Sequence, residues 1–196
     1  PGGTRPGSVC DIPVSGIDFY PTLLDLAGIP VPEAQAIDGV SVRPLLQGKG
    51  DDQLEQRKLF WHYPHYGNQG GEPASFVRSG NYKLIHYYEG IPGRNEDELY
   101  DLSTDPGENN DLLAGTPSTI SEENARDLRR HLEAWLESTD AKLPTLDPEY
   151  DSEAEVMRLT NLRGEFMEKL EVQHAEYLNP DWKPNEDWWG SMMVDD

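Results

Sequence analysis

The stretch from Lys58 to Tyr100 constrains this chain more than any other. It holds three runs that read as strands and three of the five histidines. Lys58–Tyr63 is apolar and aromatic. Ser75–Arg78 and Tyr82–Tyr88 flank Ser79-Gly80-Asn81, a turn signature in which Gly and Asn tolerate positive φ. By the period-two rule, Tyr82, Leu84, His86 and Tyr88 share one face of the second arm, and Lys83, Ile85 and Tyr87 share the other. Glu98–Leu102 is a fourth candidate strand. A small antiparallel sheet follows, and such a sheet needs a second layer over its apolar face.

The clearest helix in the sequence supplies that layer. Ala125, Leu128, Leu132, Trp135 and Leu136 recur on one helical face, opposite Glu123, Arg126, Arg130 and Glu137. Thr119 and Glu122 have capping-box spacing, with Ser121 as an alternative cap. Before the sheet, Asp18 is placed to cap a short helix. Pro21 lies in its first turn, Leu23, Leu24, Leu26 and Ala27 form its apolar stripe, and Gly28 stands at its end. Asp38-Gly39 marks a turn, and Ser41 is placed to cap a second short helix ending before Gly48. Lys49–Arg57 reads as charged and exposed. Beyond a proline-bounded link, the pattern predicts a helix over Glu153–Gln173 with Val156, Leu159, Leu162, Phe166 and Leu170 facing inward. Asn179–Asp196 carries Trp182, Trp188 and Trp189 among acids and reads as a segment that docks.

Charge bounds the function classes. Asp and Glu outnumber Lys and Arg 37 to 16, a net charge of −21. Nucleic acid and anionic membrane surfaces are excluded as partners, because both are bound through clustered Lys and Arg. No apolar run is long enough to span a bilayer. The single Cys10 excludes an internal disulfide and a multi-Cys zinc site. Its lack of near basic neighbours marks it as an ordinary small residue. The chain begins with Pro rather than Met, which reads as a fragment or a processed product.

The candidate binding residues are His62, His65, Tyr66 and Asn68. They lie at the end of the first strand and in the loop Tyr63–Glu72, which combines polar and aromatic groups with three glycines. His62 and His65 have the spacing of an H-x-x-H metal pair. On a strand, however, positions three apart point to opposite faces, and Pro64 blocks the helix that would align them. No metal site is assigned. Asp101–Leu112 begins like a calcium loop but has Pro106 at position six and Leu112 at position twelve, so that reading fails. Glu108 and Asp111 are expected to hold this loop through backbone hydrogen bonds, and Arg78 and Lys83 to form cross-strand or salt-bridging contacts.

Five blocks, in order, carry a family resemblance: DIPVSGIDFYPTLLDLAGIP, DGVSVRPLL, FWHYPHY, FVRSGNYKLIHYYE and ELYDLSTDPGENNDL. Together they resemble the C-terminal part of a type I, formylglycine-dependent sulfatase of the alkaline phosphatase-like superfamily, over roughly residues 1–145 by eye. The implied fold is α/β, here as an α+β fragment. Residues 1–48 would be the trailing edge of the large catalytic domain. Residues 58–140 would be a small antiparallel-sheet subdomain packed by a C-terminal helix, and 147–196 an acidic, Trp-containing extension.

The implied activity is hydrolysis of a sulfate ester on a sulfated sugar or aryl group, in the periplasm or outside the cell. The family uses a formylglycine made within a C-x-P-S-R motif and a calcium ion held by Asp and Asn. Here Cys10 is followed by Asp11-Ile12-Pro13-Val14, so no catalytic residue is assigned. The catalytic domain would lie upstream, and this chain would bind neither cofactor and be inactive alone. The rival reading is a non-catalytic acidic binding module derived from the same domain.

Overall fold

In the computed structural model the described residues are 3–67, 71–89, 95–145, 147–161, 164 and 167–181. They fall into two compact units, Pro1–Pro144 and Thr145–Asp196.

The first unit is built on the expected sheet. Strands β1 (Lys58–Tyr63), β2 (Ala74–Ser79), β3 (Tyr82–Tyr87) and β4 (Asp97–Asp101) form an antiparallel meander in the order β1-β2-β3-β4. Ser79 pairs with Tyr82, so Gly80 and Asn81 make a two-residue turn. Only Gly80 takes a positive φ, 55°, the pattern of a type II′ turn, in which the first central position needs glycine.

Between β4 and the following helix, the polar loop is held by Asp105 and Asp111. Asp105 Oδ2 accepts from Asn109 N and Asn110 N, both at 2.8 Å, and Asp111 Oδ1 accepts from Leu99 N at 3.0 Å. Glu108, expected to share that role, instead pairs with Lys83 at 2.7 Å. Lys83 reaches it because the outer face of β3 points toward this loop. Arg78 turns back to the hairpin, donating to the Gly80 carbonyl at 3.2 Å.

The covering helix spans Thr119–Ser138 and is called α4 after three short helices described below. Its Ala125, Leu128 and Leu132 pack on Val77, Leu84 and Leu99 of the sheet. Phe60 stacks on Trp135 at 5.1 Å. The cap is Ser118, one residue before the expected position. It is the last extended residue, and its Oγ accepts from Ser121 N at 3.1 Å.

Ahead of the sheet lie α1 (Phe19–Ala27), α2 (Arg43–Leu46) and α3 (Asp52–Gln56). The α1 apolar stripe is left largely uncovered among the described residues. Pro21 and Thr22 are its buried residues, while Phe19 and Leu23 are 64% and 65% exposed. Polar ties set that orientation. Thr22 Oγ1 accepts from Val42 N at 2.9 Å, and Asp25 pairs with Arg43 at 2.8 Å and accepts from Ser41 Oγ at 2.6 Å.

Asp18 does not use its side chain to cap α1. It is 0% exposed and accepts from both terminal guanidinium nitrogens of Arg57, at 2.8 and 2.5 Å, and from Ser15 N and Val40 N. Gly39 allows the close approach, since a Cβ there would fall 2.0 Å from the Ile17 carbonyl oxygen. Thus Lys49–Arg57, read as exposed, contributes α3, the buried Leu54 and this ion pair.

In the second unit, α5 (Ser152–Asn161) and α6 (Met167–Tyr177) lie along the span of the expected helix, and of the residues between them only Gly164 is described. Val156 is exposed rather than inward, and α6 buries no residue. The Leu159 side chain, Leu162, Phe166, Trp182, Trp188 and Trp189 lie outside the described residues. Among the described residues no helix is long and apolar enough to cross a membrane.

Candidate functional site

Antiparallel order brings the β1–β2 connection, residues 64–73, and the β3–β4 connection, residues 88–96, to the same end of the sheet. Direct hydrogen bonds join them. Tyr88 N donates to the Pro73 carbonyl at 3.0 Å. Farther out, the Tyr66 hydroxyl donates to the Glu89 carboxylate. His65 is exposed and meets the Tyr63 ring edge-to-face at 5.4 Å. The described residues of the two connections therefore share one rim, of which sequence reasoning singled out only the first. Asn68 lies outside the described residues.

Behind the rim, between sheet and α4, sits a polar network. Ser75, 0% exposed, has its Oγ 2.6 Å from His62 Nδ1 and 2.6 Å from the Tyr88 hydroxyl. That hydroxyl is 3.2 Å from His62 Nδ1. His62 Nε2 lies 3.0 Å from the Lys142 carbonyl. A carbonyl only accepts, so Nε2 donates to it. Both nitrogens of His62 are thus engaged within the chain, whereas His65 and Tyr66 face outward. The structure does not bring His62 and His65 together as a metal pair.

The network continues through Tyr88, whose ring meets the His86 ring edge-to-face at 5.1 Å. His86 Nδ1 lies 2.8 Å from Asp97, and Arg129 of α4 pairs with Asp97 at 2.6 Å while also contacting His86. Burial by itself would raise the Asp97 carboxyl. The His86 hydrogen bond and the Arg129 charge outweigh it and hold the group below the usual carboxylate range. For Tyr88, burial pushes the phenol up, against the pull of the Ser75 hydrogen bond and Arg129. On the opposite face, Glu98 accepts from Tyr100 at 2.8 Å and Tyr87 at 3.1 Å. Burial and that carboxylate push the Tyr100 phenol up.

Ser75, Tyr88 and Glu89 are the residues that sequence reasoning missed. Period two placed Tyr88 on the face of His86, and Glu89 follows it beyond the end of β3. The signal was present, but its pairing with the first loop was not.

Among the described residues no three His, Cys, Asp or Glu side chains converge as a metal site. Cys10 is exposed and lacks the C-x-P-S-R context. The exposed rings of Tyr63, His65 and Tyr66 and the Glu89 carboxylate lie together at this end of the sheet.

Residues 1–140 match the family described as N-sulphoglucosamine sulphohydrolase, C-terminal. The chain is 37% identical over 144 residues to a sulfatase of Formosa agariphila, covering 69% of this chain and 25% of that protein. It is 34% identical over 115 residues to an N-acetylglucosamine-6-O-sulfatase of Bacteroides thetaiotaomicron, covering 58% and 20% respectively. A crystal structure of a candidate sulfatase from Bacteroides thetaiotaomicron aligns with a TM-score of 0.54 and 29% identity, over 69% of this chain and 27% of that one. The chain spans about a quarter of the length of the relatives it matches.

Proposed function

The chain belongs to the N-sulphoglucosamine sulphohydrolase C-terminal family, and on that premise we propose that it serves as the C-terminal part of a sulfuric ester hydrolase acting on a sulfated carbohydrate or aryl sulfate. The observation that carries the reading is the match over residues 1–140, most of the first unit. The name of the relative that acts on an N-acetylglucosamine 6-O-sulfate supports a sulfated sugar as the substrate class.

In this reading the nucleophile and the calcium ligands lie upstream in a catalytic domain, and no step of ester cleavage runs through the residues described here. The chain's share is a wall of the substrate pocket and part of the stability. His65 and Tyr66 face the sugar beyond the sulfate, Asn68 is assigned to the same role from the sequence alone, and His62 holds the rim from behind. A ring face and a hydroxyl at such a wall discriminate between substrates, because a hydrogen bond missed by the wrong sugar leaves a polar group unpaired. Periplasmic or secreted action follows from the same reading.

The test has two arms. The coding sequence upstream should continue in frame into a secretion signal, Asp-rich metal ligands and a C-x-P-S-R motif. The purified 196-residue chain should not hydrolyse p-nitrophenyl sulfate, with or without calcium, whereas the complete polypeptide should. Turnover by the isolated chain, or a start codon at Pro1, would overturn the reading. In the complete enzyme, His65→Ala should lower kcat/KM for the sulfated glycan about tenfold to a hundredfold and spare a small aryl sulfate.

A further inference from the structure

We propose that Tyr88 is a positioning residue for substrate selection: by holding the base of the β3–β4 connection against Ser75 and His62, it fixes the Tyr66–Glu89 pair at the rim. This rests on the reading of the rim as pocket wall. Three observations carry it.

Tyr88 stands where β3 ends, and its side chain turns inward. Its hydroxyl lies 2.6 Å from the fully buried Ser75 Oγ, and its ring meets both His62 and His86 edge-to-face, at 5.9 and 5.1 Å. Its main-chain N–H bonds to the Pro73 carbonyl at 3.0 Å, which locks the second connection to the base of the first. The next residue, Glu89, is exposed and receives the Tyr66 hydroxyl. Tyr66 and Glu89 are both exposed, so each keeps a solvent-facing side on which a sugar hydroxyl can be met.

The inner anchor and the outer pair are therefore consecutive residues on one backbone. Exposed pairs of this kind are weakly held by themselves, since water competes for both partners. What keeps Tyr66 and Glu89 in register is the buried end of the lever. Loss of the Tyr88 hydroxyl leaves Ser75 Oγ with His62 alone and frees residue 88 to shift by the small distances that orientation-dependent recognition does not tolerate. His62 belongs to the same device. Its Nε2 bond to the Lys142 carbonyl fixes the ring that the hydroxyls pack against.

The test uses the complete enzyme with Tyr88→Phe, Tyr66→Ala and the double variant. Each is assayed on a sulfated oligosaccharide and on p-nitrophenyl sulfate. Tyr88→Phe should raise KM and lower kcat/KM for the oligosaccharide about tenfold, with the aryl sulfate changed less than about twofold. In the Tyr66→Ala background it should add less than about twofold, because the group it positions is gone. Ser75→Ala keeps the Tyr88 ring and should repeat the selective loss, and it replaces Tyr88→Phe if that variant does not fold. Equal losses on both substrates, or an oligosaccharide loss that persists undiminished in the Tyr66→Ala background, would overturn the proposal. If Tyr66→Ala and His65→Ala both leave the oligosaccharide untouched, the pocket-wall reading itself falls. An effect of His65→Ala or Tyr66→Ala without any effect of Tyr88→Phe or Ser75→Ala sinks only the positioning role.

Discussion

Asp18 accepts four hydrogen bonds at a position with no solvent exposure, two of them from one guanidinium. Burial would raise its carboxyl, but Arg57 and the Ser15 and Val40 amides together hold it below the usual carboxylate range. A carboxyl lowered in the folded state stabilises the fold fully above its unfolded value, about 3.9, and loses that contribution as pH falls toward the lower folded value. Stability of the first unit should therefore decline below about pH 4, and Arg57→Ala should flatten that decline. At neutral pH the same substitution leaves a buried carboxylate with only backbone partners and should cost about 3 kcal/mol, measured by urea unfolding. An Arg57→Ala protein with unchanged stability and an unchanged acid limb would refute this account. None of it was legible in the sequence. Asp18 precedes a helix and so carried the local signal of a cap, whereas its partner Arg57 is remote along the chain and stood in a segment whose charge read as exposure.

Elements whose signal is periodic were read well. The meander followed from alternation and one glycine turn, and α4 from five apolar residues on one helical face. Both periods are set by the backbone and survive whatever packs against them. Caps and contacts were read less well, because they depend on neighbours: Ser118 rather than Thr119 caps α4, and Asp105 rather than Glu108 braces the loop before it. The rim was half legible for the same reason. The first connection announced itself by composition, while the second joins it only through strand order. Leu132 tests the packing argument, being fully buried at the centre of the α4–sheet interface. Leu132→Ala should cost about 3 kcal/mol through lost contacts and a residual cavity. Ile120, on the same helix but exposed, should tolerate Ala within about 0.5 kcal/mol. The pair is read from the urea midpoints at constant slope, and equal shifts would mean that α4 does not cover the sheet as described.

At the scale of the whole molecule, two opposed forces act on the isolated chain. Phe19, Leu23, Leu26 and Ile29 are exposed on and just after α1, and nothing among the described residues covers them. Burying one such side chain is worth about 1.5–3 kcal/mol, so a surface of four favours association strongly. The net charge of −21 opposes it. Repulsion between exposed charges reaches about 30 Å at 10 mM salt but only about 8 Å at physiological ionic strength, whereas burial of apolar surface is not screened. Salt therefore decides the balance. The isolated chain should sediment as a monomer at low ionic strength and associate as sodium chloride rises toward about 0.5 M, where the screening length falls to a few ångströms. Leu23→Ser should suppress the associated species without lowering the stability of the sheet, because Leu23 makes no part of the α4 interface. In the complete enzyme, where the proposed catalytic domain would cover α1, the same substitution should destabilise the protein and leave its state of association unchanged. Salt-independent association of the isolated chain, or association that survives Leu23→Ser in full, would assign the contact to another surface.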